Sequence, residues 1–219
     1  MSTSTVTKPT LTYFHLLGRA ELPRALLEDA GVDYDFVAVT NWPESKAQLI
    51  AEGKLAFGQL PLYEEPGLTL VQTTAIARYL ARKHGYNGTN AHEEALIDQA
   101  SEGVGDVLTS LVKTLFFTPA EQLAEAKEKL VKETLPGQLA NFEKLLEKNG
   151  NSGYLVGSKL SYADLSLWAV VRLLVSRIEG TSEESLLGSF PAVKKLFTTV
   201  SERERLKAYV ARDVYAKQQ

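Results

Sequence analysis

The chain has 219 residues, 44% of them hydrophobic and 23% charged, the composition of an ordinary globular protein of one or two domains. Its 24 Lys+Arg against 27 Asp+Glu give a formal net charge of -3, which points to neither nucleic acid nor an anionic membrane as a partner. Cysteine is absent, which excludes disulfides, metal–thiolate sites and cysteine nucleophiles and fits a reducing compartment.

In chain order, residues 1–9 (MSTSTVTKP) read as a tail, with neither the apolar core of a signal peptide nor the arginines of a transit peptide. Residues 11–16 (LTYFHL) are apolar and aromatic enough for a buried strand. Residues 19–30 place Leu22, Leu26, Leu27 and Ala30 at helical spacing, with Gly31 in the position of a C-cap. Residues 34–39 (YDFVAV) alternate like a second strand, and a loop follows. Residues 60–64 and 68–72 read as a hairpin around Glu65-Pro66-Gly67. Residues 73–84 form a helix with Ala75, Ile76, Tyr79 and Leu80 on one face. This is an α/β pattern with a small sheet, occupying residues 10–86.

Residues 87–92 are polar and read as a linker, and residues 93–219 as an all-α domain of about five helices. The 3.6 period runs through 93–115, 119–148, 162–178 and 192–201, with breaks at Thr118-Pro119, Asn149-Gly150-Asn151, Gly180 and Phe190-Pro191. The most apolar stretch, residues 165–175, contains Arg172 and is too short to span a bilayer. Ser161 followed by Asp164 ahead of an apolar helix is a variant capping box, so both are expected as a structural N-cap and Asp164 as a buried, non-catalytic carboxylate.

Several chemistries fail on spacing. The glycines of residues 153–159 (GYLVGSK) stand one residue too close for a phosphate loop. His15, His84 and His92 are not at metal-ligand spacing, so no metal is expected. No G-x-S-x-G elbow occurs. Glu64 and Glu65 are adjacent on a strand, point to opposite faces and read as a solvated turn.

Three features gather at one end of the small sheet. Tyr13 sits in the first strand, directly before a loop that opens the first helix. Gln59-Leu60-Pro61 puts proline at a strand start, as an edge or a cis turn. Gln72-Thr73 ends a strand and opens a helix, whose free N–H groups and hydroxyl suit a carboxylate.

The segments LTYFHLLGRAE, NWPESK, FGQLP, LTLVQTTAIARYLA and SYADLSLW resemble, in order and spacing, a cytosolic glutathione S-transferase of the tyrosine type. LPGQLANFEKLL and YLVGSKLSYADLSLW resemble the pi class and W-P-E-x-K the sigma class, within the alpha/mu/pi/sigma group. The resemblance implies a thioredoxin-like N-terminal domain, an all-helical C-terminal domain, glutathione as co-substrate, no prosthetic group and a cytoplasmic homodimer. It implies that Tyr13 stabilises the glutathione thiolate and that Arg19 shapes the field around it. Leu60, beside a cis Pro61, would hold the cysteinyl unit, and Gln72 and Thr73 the γ-glutamyl carboxylate. Trp42, Lys46 and Gln59 would bind the glycyl end, and Asp106 of the partner subunit the γ-glutamyl amine. Phe14, Leu16, Val112 and Phe116 would wall a pocket for hydrophobic electrophiles, and Phe57 would lock the dimer. Phe116 stands where pi-class enzymes usually present a tyrosine, which puts hydroxyl-assisted addition in doubt. The resemblance implies conjugation, with hydroperoxide reduction as a side activity. Two rival readings stay open: a glutathione-dependent isomerase of the prostaglandin D synthase kind, and a non-catalytic ligand carrier or structural protein on the same fold.

Overall fold

A computed structural model describes residues 8–212. They divide into two compact units, one running to His84 and taking up the chain again from Glu204, the other Gly85–Arg203. Most of the expected tail lies outside the described residues. Its described end, Lys8 and Pro9, is tied to the second strand: the Asp35 amide donates to the Pro9 carbonyl at 2.8 Å, and Lys8 pairs with Asp33 and Asp35 at 2.7 and 2.9 Å.

The first unit is built on a sheet of β1 (Thr10–Phe14), β2 (Asp35–Val39), β3 (Leu62–Glu65) and β4 (Leu68–Val71), in the order β2-β1-β3-β4. β1 runs parallel to β2, with Tyr13 opposite Ala38, and antiparallel to β3, with Thr12 opposite Leu62. A parallel pair needs a crossover, and α1 (Glu21–Ala30) supplies it, closed by Gly31 at φ 68°. α3 (Thr73–His84) packs beside α1, and Leu11, Leu26, Leu27, Leu62, Ile76 and Leu80 form the fully buried core. Each such side chain contributes roughly 1.5–3 kcal/mol by leaving water. β3 starts two residues later than the pattern predicts, because Pro61, joined to Leu60 by a cis bond, has no N–H for the ladder.

Two helices of this unit were not expected. α2 (Trp42–Ala51) occupies the anticipated loop; none of its residues is fully buried, so it carries no apolar stripe. Its start was nonetheless encoded by Asn41, with Pro43 and Glu44 in the first turn. α10 (Glu204–Ala211) follows the helical half in chain order but packs against α1 and clusters with this unit. The Glu64–Glu65 pair is also not a solvated turn. Glu64 meets Lys54 at 3.2 Å, while Glu65 accepts hydrogen bonds from Tyr63 at 2.6 Å, Lys83 at 2.5 Å and Tyr79. Burial pushes the Glu65 carboxyl upward, but these donors outweigh it and hold its pKa below the ordinary value.

The second unit is helical: α4 (Ala91–Phe117), α5 (Leu123–Lys129), α6 (Leu135–Lys148), α7 (Tyr162–Arg177), α8 (Glu183–Leu187) and α9 (Pro191–Ser201). The chain from 119 to 148, expected as one helix, is interrupted by a π turn at Leu130–Thr134. Pro136 explains it: proline has no amide and would crowd the carbonyl four residues back, and widening the turn relieves both problems. α7 is buried on nearly every side and packs against α4 and α9. Its Trp168 donates from Nε1 to Ser201 Oγ at 2.9 Å. Its start is a capping box, in which the Asp164 carboxylate accepts from the Ser161 amide (2.7 Å), the Ser161 hydroxyl (2.8 Å) and the Leu155 amide (2.7 Å). Burial still dominates and pushes Asp164 up to about 6.

Candidate active site

A cleft of about 560 Å³ opens in the first unit, lined by residues that include Tyr13, Arg19, Trp42, Lys46, Gln59 and Thr73. Four chain segments build it, each for a local reason. β1 delivers Tyr13, whose ring meets Phe14 edge-on at 5.3 Å and whose hydroxyl accepts the Arg19 amide at 3.0 Å. The loop comes that close because residue 18 is glycine: a Cβ there would lie 2.7 Å from the Tyr13 hydroxyl. A phenol oxygen that accepts an amide keeps its own hydrogen to donate, and donates it more strongly.

The first turn of α2 supplies the second wall. Trp42 and Lys46 are four residues apart and share a face, with the ammonium 5.7 Å from the indole centroid. Trp42 packs edge-on against Phe14 at 5.4 Å, which joins this wall to β1. Lys46 runs over Gly58, where a Cβ would meet its Cε at 3.3 Å. Leu60 lines the cleft ahead of the cis bond, and Pro61 is buried behind it.

The start of α3 is the third piece. Gln72 holds the left-handed conformation at φ 78°, where side chains other than glycine are strained. Its carbonyl accepts the Ile76 amide at 3.0 Å, and its side chain reaches Gln59 Oε1 at 3.4 Å. The Thr73 hydroxyl donates to the Arg19 carbonyl at 3.1 Å. Arg19 is thus tied on both sides, its amide to Tyr13 and its carbonyl to Thr73. The lining contains two cationic side chains, Arg19 and Lys46, and no carboxylate. Together with the α3 N-terminus this gives the cleft the chemistry that suits an anion, beside an aromatic hydroxyl.

The cleft thus gathers Tyr13, Phe14, Arg19, Trp42, Lys46, Gln59, Leu60, Gln72 and Thr73, and it adds Gly58 and Thr74, for which the resemblance implies no role. Thr74 is legible in hindsight as the second residue of a helix whose N-terminus faces the cleft. Leu16 lies in the following loop, 36% exposed and not part of the lining. Phe57 is 68% exposed. Asp106, Val112 and Phe116 stand on α4 of the helical unit, where Asp106 is exposed and borders a second cavity with Glu102 and Gln138, and Phe116 is 75% exposed. Among the described residues no group of His, Asp or Glu is arranged to hold a metal, and no helix is long and apolar enough to cross a membrane.

Two family models match the chain. Residues 9–82 match the glutathione S-transferase N-terminal domain, and residues 105–213 the glutathione S-transferase C-terminal domain. The chain belongs to the glutathione S-transferase family. It is 40% identical over 206 residues to glutathione S-transferase alpha M14 of Sus scrofa, covering 93% of this chain and 88% of that protein. It is 39% identical over 204 residues to glutathione S-transferase A1 of Homo sapiens, with the same coverage. Among solved structures it resembles the pi-class glutathione S-transferase of Onchocerca volvulus (30% identity, TM-score 0.82, covering 94% of this chain and 93% of that one). It also resembles prostaglandin synthase D of Nilaparvata lugens (26% identity, TM-score 0.81, covering 94% and 98%). The fold is that of the glutathione S-transferase family, a thioredoxin-like N-terminal domain followed by a helical C-terminal domain.

Proposed function

We infer that this chain is a glutathione S-transferase that binds glutathione in the cleft beside Tyr13 and conjugates it to hydrophobic electrophiles. The carrying observation is the Tyr13 hydroxyl, which accepts the Arg19 amide at 3.0 Å in a cleft with two cations and no carboxylate. Glutathione is anionic, with a carboxylate at each end. The α3 N-terminus and the side chains of Gln72 and Thr73 suit the γ-glutamyl carboxylate. The backbone of Leu60 suits the cysteinyl unit, and Trp42, Lys46 and Gln59 the glycyl end. That placement leaves the sulfur at Tyr13.

There the phenol donates a hydrogen bond to sulfur, which stabilises thiolate over thiol and lowers the thiol pKa from a cysteine-like ~8.5. The thiol proton goes to solvent. The thiolate then attacks the electrophilic carbon: a C–S bond forms, and the leaving group departs with its electron pair. The cationic side chain of Arg19 adds to the field that favours the anion. We place the working protein in the cytoplasm as a homodimer, with Phe57 buried against a second copy and Asp106 of the partner subunit serving the γ-glutamyl amine. The likeness to a prostaglandin synthase supports a second reading, glutathione-dependent isomerisation, which uses the same thiolate and differs in returning glutathione unconsumed.

Turnover with an activated aryl halide tests the reading. Tyr13→Phe should lower kcat roughly 10–100-fold while glutathione affinity stays within about three-fold. Unchanged turnover would remove Tyr13 from the chemistry.

A further inference from the structure

The C-terminal helix α10 grips α1 along its length. Arg205 Nη1 donates to the Asp29 carbonyl at 3.0 Å, and Arg212 pairs with Glu28 at 2.5 Å. The Arg24 guanidinium stacks against the rings of Phe36 and Tyr209, at 4.3 and 5.0 Å. At the other end of α1, the Tyr209 hydroxyl donates to Oε2 of Glu21 at 2.9 Å, 188 residues away in sequence. Tyr209 is 5% exposed and Glu21 2%.

This last contact reaches toward the active site. Glu21 is the first residue of α1, and its amide donates to the Gly18 carbonyl at 3.0 Å, closing a tight turn with Arg19 inside it. The Arg19 amide is the donor to the Tyr13 hydroxyl, at 3.0 Å. A buried carboxylate is confined by the donors it accepts from, because it has no water to turn to. The tyrosine that holds Glu21 therefore limits where the turn can sit. Hydrogen bonds weaken steeply with distance and angle, so a small drift of the turn is felt at Tyr13.

We propose that Tyr209 is a positioning residue for catalysis: through the buried Glu21 carboxylate it fixes the turn that presents the Arg19 amide to the Tyr13 hydroxyl. The inference rests on the reading of Tyr13 as the thiolate-stabilising group. Loss of the Arg19 donation leaves Tyr13 a weaker donor to sulfur and so leaves less thiolate at neutral pH.

The test is Tyr209→Phe in the full chain, with two readouts. In the free protein, hydrogen exchange of the Arg19 amide should quicken by about ten-fold or more, while the Leu26 amide in the middle of α1 stays within about two-fold. In the glutathione complex, the apparent thiolate pKa, followed by ultraviolet absorbance, should rise by roughly 0.5–1 unit with affinity within about three-fold. A lower melting temperature with both readouts unchanged would make Tyr209 purely structural and overturn the proposal. Lost Arg19 protection with an unmoved thiolate would overturn it equally. Should Tyr209→Phe fail to fold, Glu21→Asp withdraws the carboxylate by about 1.5 Å and keeps the tyrosine packing. It should move both readouts in the same directions, and unmoved values there would also overturn the proposal. A wild-type thiolate no more acidic than that of free glutathione would sink the reading of Tyr13 and this inference with it. A shifted thiolate that Tyr209→Phe leaves alone sinks the inference only.

Discussion

At the residue scale, the site is held by short-range geometry that composition does not reveal. Gln72 is the sharpest case: it sits at φ 78°, in a region that disfavours any side chain with a Cβ. Glycine there should relieve about 1 kcal/mol of strain and raise the melting temperature. It should also weaken glutathione binding by about ten-fold or more, because the side chain that reaches Gln59 is lost. A thermal melt and a binding titration of Gln72→Gly check both halves, and a variant that binds as tightly as wild type would show the strain to be without function. Nothing in the letters around position 72 predicts this conformation. Tyr13 was singled out for a different reason: its segment, LTYFHLLGRAE, resembles the glutathione S-transferases, whereas a tyrosine in a strand would by itself read as core packing. Its hydrogen bond to the Arg19 amide, and the closeness of Gly18 that permits it, exist only in three dimensions.

At the element scale, the segments that were read correctly are those with a strong period or a chemical stop signal. α3, and α7 to within a residue, follow from their apolar positions, α7 with the help of its capping box. α2 was missed because it buries no residue fully, and α8 because five residues are too few to show a period. The cap of α7 gives this scale its prediction. Asp164→Ala removes the N3 carboxylate of the capping box and strands buried amides of Leu155 and Ser161, which should cost about 3 kcal/mol in urea denaturation. The same carboxyl also predicts a pH dependence. Its folded pKa, about 6, lies above the ordinary value of 3.8, so its contribution to stability is fully present below about 3.8. That contribution is lost as pH rises through about 6. The stability of wild type relative to Asp164→Asn should therefore fall between pH 4 and pH 7, and a margin that is flat or grows would contradict the sign.

At the scale of the whole molecule, the two-part organisation was readable from the change of period near residue 87, because a small sheet and a helical bundle bury their apolar positions at different spacings. The return of α10 to the first unit was not, since its ties to α1 are made by a handful of side chains distant in sequence. Phe57 is 68% exposed, and the homodimer proposed above would bury it. Phe57→Ala should weaken dimerisation by about ten-fold or more in sedimentation velocity over a dilution series. Equal dissociation of variant and wild type would place the dimer contact elsewhere. Acidification of a bound thiol by Tyr13 is open to a pH titration of the ultraviolet absorbance of bound glutathione, in wild type and in Tyr13→Phe. We predict an apparent thiolate pKa at least about one unit below that of free glutathione, restored toward the free value in the variant. Glutathione that binds with an unshifted pKa, or a shift that survives the loss of the hydroxyl, would contradict it.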